Sequence, residues 1–266
     1  MKTAPLLFVL LAACHQQAAP VDSNHTAAST PSVPVIAPVP PIKAFTVEDK
    51  TDLVDFDFSW SAEAAAVPEL VERFRAEMAK TKANLIAGAS EDRDNRKKEG
   101  FPFNSYSSTT AYTTAGLSPR LLSLSLETWQ YTGGAHGNGG TAALLWDRAA
   151  KQEVKFADLF AQAANRDRLL IQRWCDALNK AREEQRGEPV GGGGMFDDCP
   201  SLNDIAIIPT DKNKDGRFEV LLLVASPYVA GPYVEGSYEI ELAVTPDVVA
   251  ALKTDFQPSF AAQGRQ

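Results

Sequence analysis

The stretch Leu121-Leu122-Ser123-Leu124-Ser125-Leu126-Glu127-Thr128-Trp129-Gln130-Tyr131 sets leucine against serine or glutamate at alternate positions. Successive side chains of a strand point to opposite faces, so Leu122, Leu124 and Leu126 share one face, and Ser123, Ser125 and Glu127 the other. Gly133-Gly134-Ala135-His136-Gly137-Asn138-Gly139-Gly140 follows, a loop whose glycines permit positive φ, with Gly137-Asn138-Gly139 as its flexible tip. Thr141 to Trp146 then resumes as a strand.

Upstream, Tyr106 to Thr114 is rich in Ser, Thr and Tyr, which favours a strand with one wet face. Val54, Phe56, Phe58 and Trp60 alternate with polar residues as a half-buried strand. Pro68 opens a helix carrying Leu70, Val71, Phe74, Met78 and Leu85 on one side. The charged run Glu91 to Glu99 reads as a solvated loop or frayed helix end. Downstream come a turn at Asp147 to Lys151, a helical turn at Phe156 to Phe160, and an amphipathic helix from Arg166 to about Arg186. Two apolar strands, Ile205 to Ile208 and Phe218 to Val224, flank the loop Asp211 to Gly216. A strand at Tyr238 to Val244 and a short helix at Pro246 to Phe256 close the chain. Strands and helices therefore come in clusters and not in strict alternation. That order predicts an α+β fold with antiparallel sheets, two main packed helices and two intimately packed subdomains.

The chain has 266 residues and a formal net charge of -8. A negative surface argues against nucleic acid as a partner and favours basic ones. At the N-terminus Lys2 precedes the apolar run Leu6 to Leu11, too short to span about 30 Å of hydrocarbon, as in a secretory signal over residues 1–13. Leu11-Ala12-Ala13-Cys14 resembles the lipobox of bacterial lipoproteins, which implies lipidation at Cys14 and attachment to a membrane without spanning it. His15, not aspartate, follows that cysteine; in a Gram-negative organism the resemblance then implies the periplasmic face of the outer membrane. The proline-rich segment 14–41 is an extended tether. In an oxidising compartment the remaining cysteines, Cys175 and Cys199, form a structural disulfide; two isolated cysteines without nearby histidine make a poor zinc site.

Several features invite a chemical reading. The glycine loop lacks the Gly-Lys-Ser/Thr of a phosphate-binding loop and leads into a strand instead of a helix. His136 is the only histidine beyond the leader and tether, so no multi-histidine zinc site can be assembled, and no Gly-x-Ser-x-Gly elbow is present. A lone general base at His136 remains an alternative to a loop or ligand-surface role. Asp197-Asp198 are adjacent and so do not face each other across a cleft as glycosidase carboxylates do, and nothing supports Glu127 as a distant partner. Asp211-Lys212-Asn213-Lys214-Asp215-Gly216 matches the first half of a calcium loop, but position twelve is Leu222 where an EF-hand has glutamate; Glu219 is the nearest substitute. A hairpin turn is the favoured reading, and calcium at Asp211, Asn213 and Asp215 the alternative. No other cofactor is expected.

The string Tyr131-Thr132-Gly133-Gly134-Ala135-His136-Gly137, with Leu124-Ser125 before it and Asp147 and Phe156-Ala157-Asp158-Leu159-Phe160 after it, resembles the envelope domain pair of PdaC-type deacetylases and of RsiV, a lysozyme-binding anti-sigma factor. Tyr228 to Gly236 is similar to that family's later Pro-Tyr segment. The resemblance implies a PdaC-like part at 42–140 and an RsiV-like part at 141–260. It does not imply deacetylation, because in those deacetylases the chemistry sits in a separate zinc domain with paired histidines, which this chain lacks. What it implies is a non-catalytic, lipid-tethered recognition module binding a lysozyme-like protein or peptidoglycan, with Tyr131, Gly133, Gly134, His136 and Tyr233 as the ligand-binding residues. The competing readings are an enzyme acting on cell-wall polysaccharide and an envelope assembly protein.

Overall fold

The computed structural model describes residues 42–263. The leader 1–13, Cys14 and the tether 14–41 lie outside the described residues. Strand β1 (Phe45–Lys50) pairs antiparallel with β2 (Val54–Trp60), bringing Phe45 onto the ring of Trp60. A short helix α1 (Ala62–Ala65), capped by the Ser61 side chain, leads into α2 (Pro68–Glu99), with proline in the first turn where no intrahelical donor is lost. Then come β3 (Tyr106–Leu117), β4 (Leu121–Tyr131), β5 (Asn138–Asp147) and β6 (Gln152–Val154), completing one six-stranded sheet in chain order. Every neighbouring pair is antiparallel except β2 and β3. The α+β fold with antiparallel-rich sheets is the one expected, and this single parallel pair is its exception. A parallel pair needs a long crossover, and α2, about 48 Å long at 1.5 Å per residue, supplies it.

Of the two expectations for Glu91 to Glu99, a solvated loop or a helix end, the structure has the helix end, formed through Glu99. Lys, Arg and Glu are good helix formers, Asp92 and Arg96 pair one turn apart, and Arg96, Lys97 and Lys98 suit the negative end of the helix dipole. The helix stops where Gly100 takes a left-handed conformation (φ 79°) and returns its N–H to the Arg96 carbonyl.

Helix α3 (Ala164–Arg186) precedes a second sheet in the order β7 (Ala206–Thr210), β8 (Val220–Ala225), β9 (Tyr238–Ala243), all antiparallel. Helix α4 (Pro246–Ala251) is shorter than expected, and residues 257–259 form only a 3-10 turn. One core lies between α2 and the first sheet, with Phe56, Phe58, Phe74, Tyr112 and Leu124 at its centre. A second joins α3 to the small sheet through Leu170, Trp174, Leu178, Leu221 and Leu223, and reaches into the first sheet at Leu121 and Leu145. Between the sheets the contacts are small: Ala115 and Ala143 meet Ala206, Ile208 and Val224. Ser123 and Ser125, on the polar face of β4, are consequently buried and not wet. The expected subdomain boundary at 140/141 falls inside β5, and the first sheet continues to Val154.

Candidate functional site

Trp129 and Tyr131 share strand parity with Ser123 and Ser125, but they lie beyond the edge of the second sheet. The Trp129 side chain is 41% exposed, and Tyr131 stacks beside it with ring centroids 6.5 Å apart. A Cβ on Gly137 would stand 2.2 Å from Trp129 Cζ2, and one on Gly139 2.5 Å from the Thr128 carbonyl oxygen. The glycines that follow the histidine are thus the floor under an indole ring. Asn138 to Gly140 belong to β5 and pair with Gln130 to Thr128, so the loop proper is 132–137, and two residues of the expected tip, Asn138 and Gly139, are in the strand.

The front of this loop is anchored to α2. Gly133 takes φ 82°, and its carbonyl accepts from Arg96 Nη2 at 3.4 Å, while Arg96 is itself held by Asp92. Gly134 is exposed, and a Cβ there would meet only the His136 carbonyl oxygen, at 4.0 Å. His136 Nδ1 donates to the Gly137 carbonyl (2.8 Å), and its imidazole lies on the ring of Tyr233, centroids 4.0 Å apart. Tyr228, 51% exposed and in a left-handed conformation (φ 70°), sits 5.7 Å from Tyr233. The Ser226 hydroxyl accepts from the Thr141 N–H at 2.9 Å, tying the end of β8 to β5 just behind the rings.

Tyr233 opens a 3-10 turn, Tyr233–Glu235, which α3 holds from beneath. Arg186 grips Glu235 through Nε and Nη2 (2.9 and 3.0 Å), and Tyr238 donates to the same carboxylate. The Arg186 guanidinium keeps the Glu235 carboxyl below the usual glutamate range, against burial. Burial and the hydrogen bond to Glu235 push the Tyr238 phenol up to about 12. Gly231 leaves room for this cluster, since a Cβ there would stand 2.2 Å from Glu235 Oε2. One turn back along α3, the fully buried Arg182 donates to the carbonyls of Ala230, Asp197 and Asp198. The Cys175–Cys199 disulfide closes the same loop onto the helix. Asp197, a carboxylate weighed above, is spent on this loop: it accepts from the Gly194 N–H (2.7 Å), which lowers its pKa, and faces Arg186.

Of the expected site residues, the structure brings His136 and Tyr233 into contact. It places Tyr131 beside Trp129 and uses Gly133 as an anchor. Trp129 and Tyr228 were missed. A large aromatic on the face of β4 that otherwise carries Ser and Glu was the available signal for Trp129; for Tyr228 it was its place at the head of the Tyr228 to Gly236 segment. Among the described residues no helix is long and apolar enough to cross a membrane.

These elements make an α+β chain, and a family model described as Deacetylase PdaC matches its residues 47–139, from β1 to the start of β5. Among solved structures, a DUF3298 family protein from Pseudomonas aeruginosa PAO1 is similar at TM-score 0.49 and 18% identity, over 84% of this chain and 98% of that one. A DUF3298 family member from Bacteroides fragilis is similar at TM-score 0.44 and 18% identity, over 76% of this chain and 89% of that one. No curated protein matches the chain.

Proposed function

We propose that this chain is a non-catalytic recognition module of the cell envelope, tethered by lipid at Cys14, whose exposed rings receive peptidoglycan glycan. The observation that carries the reading is the stacked pair His136 and Tyr233, flanked by exposed Tyr228 and Trp129 on a braced frame. Sugar rings present flat C–H faces that pack on aromatic planes, and a rigid aromatic surface costs little ordering entropy on binding.

A second reading, a lysozyme-like protein as partner, draws support from the net charge of -8, which suits a basic protein, and from the sequence resemblance of Tyr228 to Gly236 to the RsiV-type segment. Calorimetric titration of the full chain with peptidoglycan fragments, and separately with lysozyme, tests both. Saturable glycan binding, weakened by Tyr233→Ala and His136→Ala, supports the first reading. Binding of lysozyme alone, weakening as salt rises, transfers the assignment to the second. Absence of heat with either ligand from folded protein sinks both, and turnover of the glycan by the wild-type chain overturns the non-catalytic assignment.

A further inference from the structure

The loop between β7 and β8 has a buried acid that a hairpin turn does not require. Asp211, Asn213 and Asp215 turn the chain by accepting from its own N–H groups: Asp211 takes those of Asp215 (3.1 Å) and Gly216 (2.9 Å), Asn213 that of Asp215 (2.9 Å), and Asp215 that of Arg217 (3.0 Å). Any Asx-rich turn does as much. Glu219 is different. It is 5% exposed, and its side chain reaches back under the loop, where Oε1 accepts from the Lys212 and Asn213 N–H groups (2.9 and 3.1 Å). Its second oxygen, Oε2, is buried and has no hydrogen-bond partner. A buried carboxylate oxygen without a donor is costly, and a fold that retains one needs a reason.

We propose that Asp211 to Glu219 is a calcium-binding loop in which Glu219 Oε2 is a ligand. Counting from Asp211, oxygen ligands fall at positions one, three and five, the bend glycine Gly216 at six, the Arg217 carbonyl at seven and Glu219 at nine. This is the order in which a calcium loop presents hard oxygen donors, with the terminal carboxylate arriving at nine, because position twelve, Leu222, is already inside β8. In the structure Asp215 also faces Arg217 (3.1 Å), and among the described residues no three His, Cys, Asp or Glu side chains are grouped to hold a metal. Calcium binding therefore requires the Asp215 carboxylate to leave Arg217, and the donor set is mixed: three carboxylates, one amide and one carbonyl. The loop also sits where the two sheets join. The Asp211 N–H donates to the Ala115 carbonyl at 3.0 Å, and Gly116, at the β-bulge of β3, has no room for a Cβ against Asp211 and Phe218. A cation there would brace the β3 bulge against the second sheet, independently of the aromatic surface.

The test is thermal unfolding and calorimetric titration of the chelator-treated full chain with calcium chloride, with magnesium chloride and ionic-strength-matched sodium chloride as controls. Extracellular calcium modules bind with Kd of about 0.1–1 mM. At a hundredfold excess over such a Kd the unfolding midpoint should rise by about 5–10 °C. The rise should be saturable, smaller with magnesium and absent with sodium. It should be lost in Glu219→Gln and also in Asp215→Asn, whose side chain is partly exposed and whose replacement leaves the core intact. No rise and no heat with calcium, an equal rise with sodium, or a rise retained in both variants each overturns the proposal.

Discussion

His136 and Tyr233 lie face to face, with ring centroids 4.0 Å apart and planes inclined by 21°. One comes from the β4–β5 loop and the other from a turn held by α3, so the pair forms only when both sheets are in place. Each ring also has its own support: the Gly137 carbonyl accepts from the imidazole, and the turn that carries the tyrosine is held through Glu235 by Arg186.

If this pair is the ligand platform, Tyr233→Ala should weaken peptidoglycan-fragment binding by about tenfold, within the range of a lost aromatic contact plus its buried area. Because Tyr233 is only half-buried, the unfolding free energy should fall by no more than about 1 kcal/mol. Calorimetric titration and urea denaturation of the same variant separate the two effects. A parallel loss of both would mean that the residue serves the fold alone.

Gly137→Ala and Gly134→Ala should behave oppositely, although the sequence places both in one loop. The added methyl at 137 drives into the Trp129 ring, and relief of such a clash costs about 1–3 kcal/mol. At 134 it meets nothing closer than 4.0 Å and should leave stability within about 0.5 kcal/mol. Urea midpoints measure the difference, and acrylamide quenching should show the indole more accessible in the Gly137 variant only.

These glycines show where the sequence was legible and where it was not. Periodicity located β2, β3, β4 and α3 from the apolar face each presents, and β7 and β8 were legible as short apolar runs because both their faces are buried. It left Glu91 to Glu99 open between loop and helix end, because helix formers continue past the last buried position, Ala89, with no apolar face left to reveal them. Gly100 was the visible stop signal. The glycine loop read as a mobile tip because backbone freedom is the usual reason for glycine; the actual reason at Gly137 is an indole ring packed from outside the loop. His136 and Tyr233 were recognisable as candidates, but their contact depends on how the second sheet crosses the first. No local pattern encodes that. Burial of Ser123 and Ser125 has the same origin: small side chains on a polar face admit a second layer, and period-two alternation cannot distinguish that layer from water.

Opening the Cys175–Cys199 disulfide should cost about 3 kcal/mol by the chain-entropy estimate for a separation of 24 residues, lowering the unfolding midpoint by about 6–12 °C. The loop it closes also supplies the Asp197 and Asp198 carbonyls to buried Arg182, which in addition holds Ala230, in the segment leading to Tyr233. Cys175→Ser/Cys199→Ser should therefore weaken ligand binding as well as stability, although neither cysteine is at the surface proposed for the ligand. Scanning calorimetry and titration on one preparation test this, and unchanged affinity in a destabilised variant would detach the disulfide from the site.

The Arg186–Glu235 pair predicts an acid-labile platform. Glu235 has a folded-state pKa lowered from 4.5, mainly by the hydrogen bond from Arg186, so the unfolded chain binds its proton more readily than the folded one. Its stabilising contribution is then complete above the unfolded pKa and is lost as the pH falls through the folded value. Denaturant midpoints of wild type should decline from about pH 5 to about pH 3 more steeply than those of Glu235→Gln, which lacks the titrating group. The variant should be less stable than wild type at neutral pH, and the gap should narrow with acidification. Since Glu235 ends the turn that Tyr233 begins, the His136–Tyr233 contact should loosen over the same interval, measurable as a downfield-shifted, exchange-broadened His136 ring resonance in wild type before global unfolding. A gap that widens toward acid pH would show that the pair contributes through packing and not through charge.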